Sequence, residues 1–171
     1  MVEPDEEDLH TDPASHAESL AYFKACSIGT QSKAAAILAA DTIAYIDGEI
    51  IGKPLDREDA RRILSKLSGT THRVITGVAL MDADRRLLEH DVSLIRVRTL
   101  SPETIEAYLD SGQWQGKAGA YGIKDENDPF VERLEGSFTN VVGMPMELLT
   151  HLFERWLSGA GARGECGGDQ R

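Results

Sequence analysis

The chain has 171 residues, a formal net charge of −11, 41% hydrophobic residues and 27% charged residues. That length supports one domain with a sizeable core, and the composition fits a soluble globular protein. The acidic balance argues against non-specific nucleic-acid binding, yet a few local lysines can still reverse the field inside one cleft and admit an anionic small ligand. No segment approaches the roughly 20 apolar residues of a membrane span. The acidic start, with Glu3, Asp5, Glu6, Glu7 and Asp8, lacks the apolar run of a signal peptide. Cys26 and Cys166 stand far apart and give no disulfide framework, so a reducing, cytoplasmic location is expected.

Asp12–Pro13 reads as an N-cap with proline at the first helical position, opening a helix to about Ile28. Ala17, Leu20 and Ala21 mark its inner face and Lys24 takes the next slot. Snorkelling, with a buried stem and a solvated ammonium, weighs evenly against a functional lysine there. The run Ala34–Ala44 reads as a buried strand interrupted by Asp41, an acid placed at a strand end. Asp47–Gly48 marks a hairpin turn. Asp56 caps a second helix with Ala60, Ile63, Leu64 and Leu67 at helical spacing, stopped by Ser68–Gly69.

Two strands follow, His72–Asp82 and Leu87–Arg98, joined by the turn Asp82–Asp84. In the second, Val92 and Leu94 give way to Ile95 and Val97, a phase slip that predicts a β-bulge or a strand buried on both faces. Ser101–Pro102–Glu103 opens a third helix with Ile105, Tyr108 and Leu109 inward. Phe130–Glu135 is a short strand. Pro145 begins a last helix carrying Leu148, Leu149, Leu152, Phe153, Trp156 and Leu157. The Gly-rich stretch 158–171 reads as a disordered tail beyond a domain of residues 1–157.

An acid beside an apolar run, followed by Gly52–Lys53–Pro54, Thr76–Gly77–Val78 and Lys117–Ala118–Gly119–Ala120–Tyr121–Gly122, suits metal-assisted phosphate chemistry. Each piece alone has a plainer reading: a solvated strand-end acid, a turn, a loop. His72 reads as structural or exposed, and Trp114 as a packing anchor. Thr139 and Asn140 either donate hydrogen bonds to a ligand or close a turn.

Taken in order, these pieces resemble the Maf family of nucleoside triphosphate pyrophosphatases, also called septum-formation proteins. The resemblance rests on Leu20–Ala21–x–x–Lys24–Ala25, Ala40–Asp41–Thr42 and Asp47–Gly48–Glu49–x–x–Gly52–Lys53–Pro54. It continues through Leu67–Ser68–Gly69–x–x–His72–x–Val74–x–Thr76–Gly77–Val78, Lys117–Ala118–Gly119–Ala120–Tyr121–Gly122–Ile123 and Val141–Val142–Gly143–Met144–Pro145, spanning nearly all of residues 4 to 157. It implies an α/β fold with an elongated, twisted mixed sheet flanked by helices and two lobes around a central cleft. It also implies hydrolysis of a nucleoside triphosphate to the monophosphate and pyrophosphate with a divalent metal, Mg or Mn.

In that reading Asp41 matches the catalytic acid, and Lys24 and Lys53 the phosphate-binding lysines. Thr42, Lys117 and Lys124 complete the substrate side. Glu7 is chosen as a second metal-associated acid beside Asp41, with Asp5, Glu6 and Asp8 competing for that place. A homodimer is compatible with the resemblance; a nucleic-acid or membrane partner is not expected.

Two departures stand out. Family members begin with a strand and a Ser-x-Ser-Pro-Arg-Arg loop that cradles phosphates, and no such segment occurs here, so the first strand is expected to be missing. A misplaced start and a lost phosphate loop both remain open. Lys124 stands where the family often has Gln after Tyr-Gly-Ile, a position that bears on base choice; Thr42 beside the acid resembles the branch that prefers dTTP and UTP. The alternative function is a weak or inactive nucleotide-binding regulator.

Chemically, breaking a phosphoanhydride bond requires charge neutralisation and an aligned water. Asp41 could accept the water's proton or hold a metal, while Lys24 and Lys53 oppose the triphosphate charge.

Overall fold

The computed structural model describes residues 12–29, 36–123, 130–159 and 162–163. Glu7, its competitors Asp5, Glu6 and Asp8, and Lys124 lie outside the described residues. The elements are α1 (Pro13–Gly29), β1 (Ile37–Ile46), β2 (Glu49–Ile51), α2 (Arg57–Leu67), β3 (Thr71–Met81), β4 (Arg85–Val97), α3 (Pro102–Asp110), a single 3₁₀ turn (Ala118–Ala120), β5 (Val131–Glu135), α4 (Phe138–Val141), α5 (Met146–Leu157) and β6 (Ala162–Arg163).

The strands form one sheet in the order β2-β1-β3-β4-β5, with β6 beside β4. Every pairing among the described strands is antiparallel, which corrects the expected mixed sheet. The reason is topological. β3 enters on the far side of β1 from β2, so two strands that run the same way never become neighbours.

Local chemistry accounts for the turns and caps. Asp47 and Gly48 both take positive φ (49° and 82°), the geometry a two-residue hairpin needs between the paired Ile46 and Glu49. Asp56 caps α2 by accepting from the Asp59 N–H at 2.8 Å. Ile63, Leu64 and Leu67 of α2 are buried, each contributing about 2 kcal/mol relative to exposure. Asp12 caps α1 by accepting from the Ser15 N–H at 3.2 Å.

The phase slip expected in β4 is absent against β3, where the register runs unbroken from Arg96 to Arg86. Ser93, Ile95 and Val97 point inward, while Val92 and Leu94 lie on the outward face. A polar core residue, Ser93, hid the regular alternation from a count of apolar residues. The register does shift on the other side of β4, between Arg96 and Val97 against β5. In α5, Leu149, Leu152 and Trp156 are buried, but Phe153 and Leu157 are exposed. Within the expected tail, Ala162–Arg163 pair with β4, while residues 160–161 and 164–171 lie outside the described residues.

α1 packs on one face of the sheet through Ala14, Ala17, Ala21 and Ala25. At the centre of that contact is Gly77 of β3. A Cβ there would stand 2.2 Å from the carbonyl carbon and oxygen of Ala17. Only glycine lets helix and strand backbones approach so closely. The opposite face carries two apolar groups. One gathers α2, α3 and the 3₁₀ turn around Val74 and Ile95; the other joins α5 to Val78, Leu80 and Leu87. Between them lies a polar waist at Thr42, Thr76, Ser93 and Asn140.

Candidate active site

Asp41 stands in the middle of β1, paired with Gly77, rather than at a strand end. Its exposure comes from the open side of β1. β2 covers only Ala44–Ile46, so among the described strands the edge from Ile37 to Ile43 has no partner. A cleft of about 440 Å³ opens along that edge and is lined by Lys24, Asp41, Thr42, Lys53, Lys117 and Tyr121, among others.

α1 delivers Lys24 to the mouth of this cleft. Its Nζ donates to Asp41 Oδ1 at 2.6 Å and to the Ala40 carbonyl at 3.3 Å. Lys24 is therefore the snorkelling residue of α1, but its ammonium is held by the acid rather than left to water. The Thr42 N–H also donates to Asp41 Oδ1, at 3.2 Å. Among the described residues, both hydrogen bonds to the Asp41 carboxylate go to Oδ1 and none to Oδ2.

Lys53 and Lys117 come from two loops that are tied together. The Gly119 N–H donates to the Gly52 carbonyl at 3.1 Å, one residue before Lys53. Gly119 and the buried Ala120 both take positive φ, 75° and 61°, and a left-handed alanine is a strained choice held by its surroundings. Lys117 lies across Gly122, where a Cβ would come within 3.1 Å of its stem. The glycine run thus makes room for a lysine.

Ala44, Val74, Ile123, Val141 and Val142 give the cleft an apolar lining beside these charged groups. Tyr121 sits at the end of the strained turn, and its hydroxyl pairs with His72 Nε2 at 2.8 Å. Burial pushes the His72 imidazole down to about 4, so the ring is neutral near pH 7. Its Nδ1 is buried without a hydrogen-bond partner. His72 is thus structural, as its sequence context suggests, but it also lines the cleft.

At the floor, Thr42 Oγ1 and Thr76 Oγ1 lie 2.9 Å apart, and Thr76 donates to the Asn140 carbonyl at 2.8 Å. The Asn140 side chain donates to the Val74 carbonyl at 3.1 Å and to Ser93 Oγ at 2.9 Å. Thr139 instead bonds Glu147 Oε2 at 2.9 Å and so closes a turn. Trp114 is the expected packing anchor, its indole N–H donating to the Leu109 carbonyl.

The structure therefore gathers Asp41, Lys24, Lys53, Thr42 and Lys117 into one cleft. Sequence reading missed the Thr76–Asn140 support and the His72–Tyr121 pair. The first had a faint signal, since Thr42 and Thr76 are polar interruptions of two apolar strands. The second had none, because residues 49 apart meet only through the strained turn.

A charged mouth and an apolar interior on an α/β scaffold define a protein that can hold an anionic ligand with a flat, poorly hydrated part. The chain belongs to the Maf-like protein family, whose profile matches residues 1–156. A dTTP/UTP pyrophosphatase from Ruminiclostridium cellulolyticum is 40% identical over 156 residues, 90% of this chain and 81% of the relative. A dTTP/UTP pyrophosphatase from Symbiobacterium thermophilum is 42% identical over 147 residues, 85% of this chain and 76% of the relative. One from Pyrococcus furiosus is 38% identical over 143 residues, 84% of this chain and 75% of the relative.

Proposed function

We propose that this protein is a hydrolase that converts nucleoside triphosphates to the monophosphate and pyrophosphate, with dTTP and UTP as preferred substrates. The observation that carries the reading is one cleft lined both by three lysines and a carboxylate and by a set of apolar side chains. The first part suits a triphosphate and the second a base. The names of the relatives support the same activity and the pyrimidine preference.

The reaction needs a water to attack phosphorus, one new P–O bond, cleavage of the α–β anhydride bond and departure of pyrophosphate. Lys24, Lys53 and Lys117 supply positive charge to a ligand of about four negative charges, in a chain that is otherwise acidic. Asp41 either accepts the proton of the attacking water or holds a divalent cation; both roles use its charge. The 2.6 Å contact with Lys24 orients the carboxylate.

The donor set fits a metal shared with the substrate. Among the described residues no three His, Cys, Asp or Glu side chains gather into a site, and Asp41 is the carboxylate that lines the cleft. Mg²⁺ is content with one or two carboxylates when phosphate oxygens and waters fill the remaining positions. When bound, such a cation neutralises phosphate charge and lowers the pKa of a coordinated water.

The test is hydrolysis of a panel of eight ribo- and deoxyribonucleoside triphosphates with Mg²⁺ or Mn²⁺, followed by product separation. Monophosphate and pyrophosphate in equal amounts, fastest from dTTP or UTP, are expected. Release of inorganic phosphate with the diphosphate would overturn the reading. Tight binding without turnover would support the regulator instead.

A further inference from the structure

The turn from Lys117 to Gly122 is tethered to the sheet by a pair that packing alone does not require. Tyr121 is buried and follows Ala120, whose left-handed backbone is the strained point of the turn. Its hydroxyl meets His72 Nε2 at 2.8 Å, and the two rings stand edge to face at 5.7 Å. His72 belongs to β3, inside the sheet between β1 and β4, where it pairs with Ile95. An apolar pair in this place would strand no polar atom, whereas the imidazole keeps Nδ1 buried without a hydrogen-bond partner. What the polar pair adds is direction, because the hydrogen bond fixes where the phenol ring, and with it the backbone of Tyr121, can lie. The ring in turn supports the bend. A Cβ on Gly119 would lie 3.4 Å from Tyr121 Cε1, so the ring rests against the Gly119 backbone. The chain then passes to Gly122, and the Lys117 side chain lies across it; a Cβ there would come 3.2 Å from Lys117 Cε and 3.3 Å from Nζ. Histidine, tyrosine and glycine thus form one path from the sheet to the ammonium.

We infer that His72 and Tyr121 are positioning residues for Lys117, their hydrogen bond holding the turn in the form that lays the ammonium across Gly122 and into the cleft. The inference rests on the nucleotide reading of the cleft and deepens it, giving a task to two side chains that need touch no phosphate. Lys117 reaches the cleft from a loop on a flexible four-carbon stem. Without a platform its charge would be spread over many positions, and each ligand would have to order it on binding. The imidazole suits the task. Burial lowers its pKa to about 4, so near pH 7 it adds no charge of its own to a cleft already lined by three lysines.

The test is a double-mutant cycle read by equilibrium binding of the non-hydrolysable α,β-imido analogue of UTP. Tyr121→Phe removes one oxygen and keeps the ring; it should weaken binding by about fivefold, the scale of one hydrogen bond. Lys117→Ala should weaken binding by about tenfold. Tyr121→Phe added to Lys117→Ala should bring no further loss, because the pair acts only through the lysine. His72→Phe should behave as Tyr121→Phe, while His72→Gln, whose amide can stand at the Nε2 position, should restore most of the affinity. Thermal melting identifies a His72→Phe chain that fails to fold, and Tyr121→Phe then closes the cycle alone. A pair that serves stability only would lower the melting temperature and leave binding by the folded chain unchanged. That result overturns the inference, as does an additive loss in the double variant. A second measurement needs no nucleotide. Trypsin should cut the Lys117–Ala118 bond several-fold faster in Tyr121→Phe than in the unmutated chain, with cleavage after Lys66 unchanged; equal rates at Lys117 would count against the tether. An unmutated chain that binds no triphosphate defeats the proposed function, and the cleavage rates still decide whether the pair holds the turn. Hydrolysis with additive losses keeps the proposed function and sinks this inference.

Discussion

At the mouth of the cleft the charged atoms stand in water: Lys24 keeps 53% of its side chain exposed and Asp41 keeps 25%. At the floor, Thr76 and Asn140 are fully buried, and every hydroxyl proton in their chain has a fixed destination. The mouth is suited to attracting and neutralising charge, a task that tolerates side-chain movement and depends on salt. The floor is suited to discrimination, which requires groups whose directions are settled before the ligand arrives. A single strand, β1, supplies both. Asp41 and Thr42 are adjacent residues on opposite faces of the sheet, so one serves the mouth and the other the floor.

Removing the mouth's carboxylate gives the largest expected effect. Asp41→Asn keeps the shape but loses the charge needed for proton acceptance or metal binding. Turnover should fall by at least about two orders of magnitude. Near-normal turnover in a folded Asp41→Asn protein would sink the assignment.

Acid separates the two ends in a second way. His72 has its pKa depressed from an unfolded value near 6.5 to about 4, because burial disfavours the imidazolium. A depressed value stabilises the fold above pH 6.5, and that stability drains away as the pH falls toward 4. The loss should reach about 2–3 kcal/mol by pH 4, read as unfolding free energy against pH. His72→Gln should flatten the profile between pH 6.5 and 4, and an unchanged slope would remove His72 as its cause.

The smallest effect sharpens the comparison most. Lys24→Ala and Lys53→Ala should each weaken triphosphate binding by about tenfold at low salt, and the deficit should shrink as salt rises. The UTP-to-CTP ratio should not move in either variant, since neither lysine reaches the floor. A change in that ratio would show that the two ends are coupled.

Much of this was legible in the sequence because it rests on local rules. The caps Asp12 and Asp56, the Asp47–Gly48 turn and the face Ala60–Ile63–Leu64–Leu67 all follow from nearest-neighbour chemistry. The lysines and Asp41 were recognisable because charge is conspicuous beside apolar runs. The strand phase of β4 was not, since Ser93 is buried for its hydrogen bonds and not for its hydrophobicity. Nor was the mid-strand place of Asp41, which becomes accessible only because β2 is too short to cover the edge. Pairings across the sheet, such as Thr42 with Thr76, carry no local signature at all.

The seam between Gly77 and Ala17 sets the gauge of the whole mouth. Because main chain rests on main chain there, α1 lies close over the strand that pairs with Asp41, and the helix that carries Lys24 is held at that height. The solvent-facing side of α1 can therefore drift in sequence, or be redesigned outright, with the ammonium still returning to the same carboxylate. One methyl group on the sheet beneath it would act as a shim, lifting the helix and its lysine together.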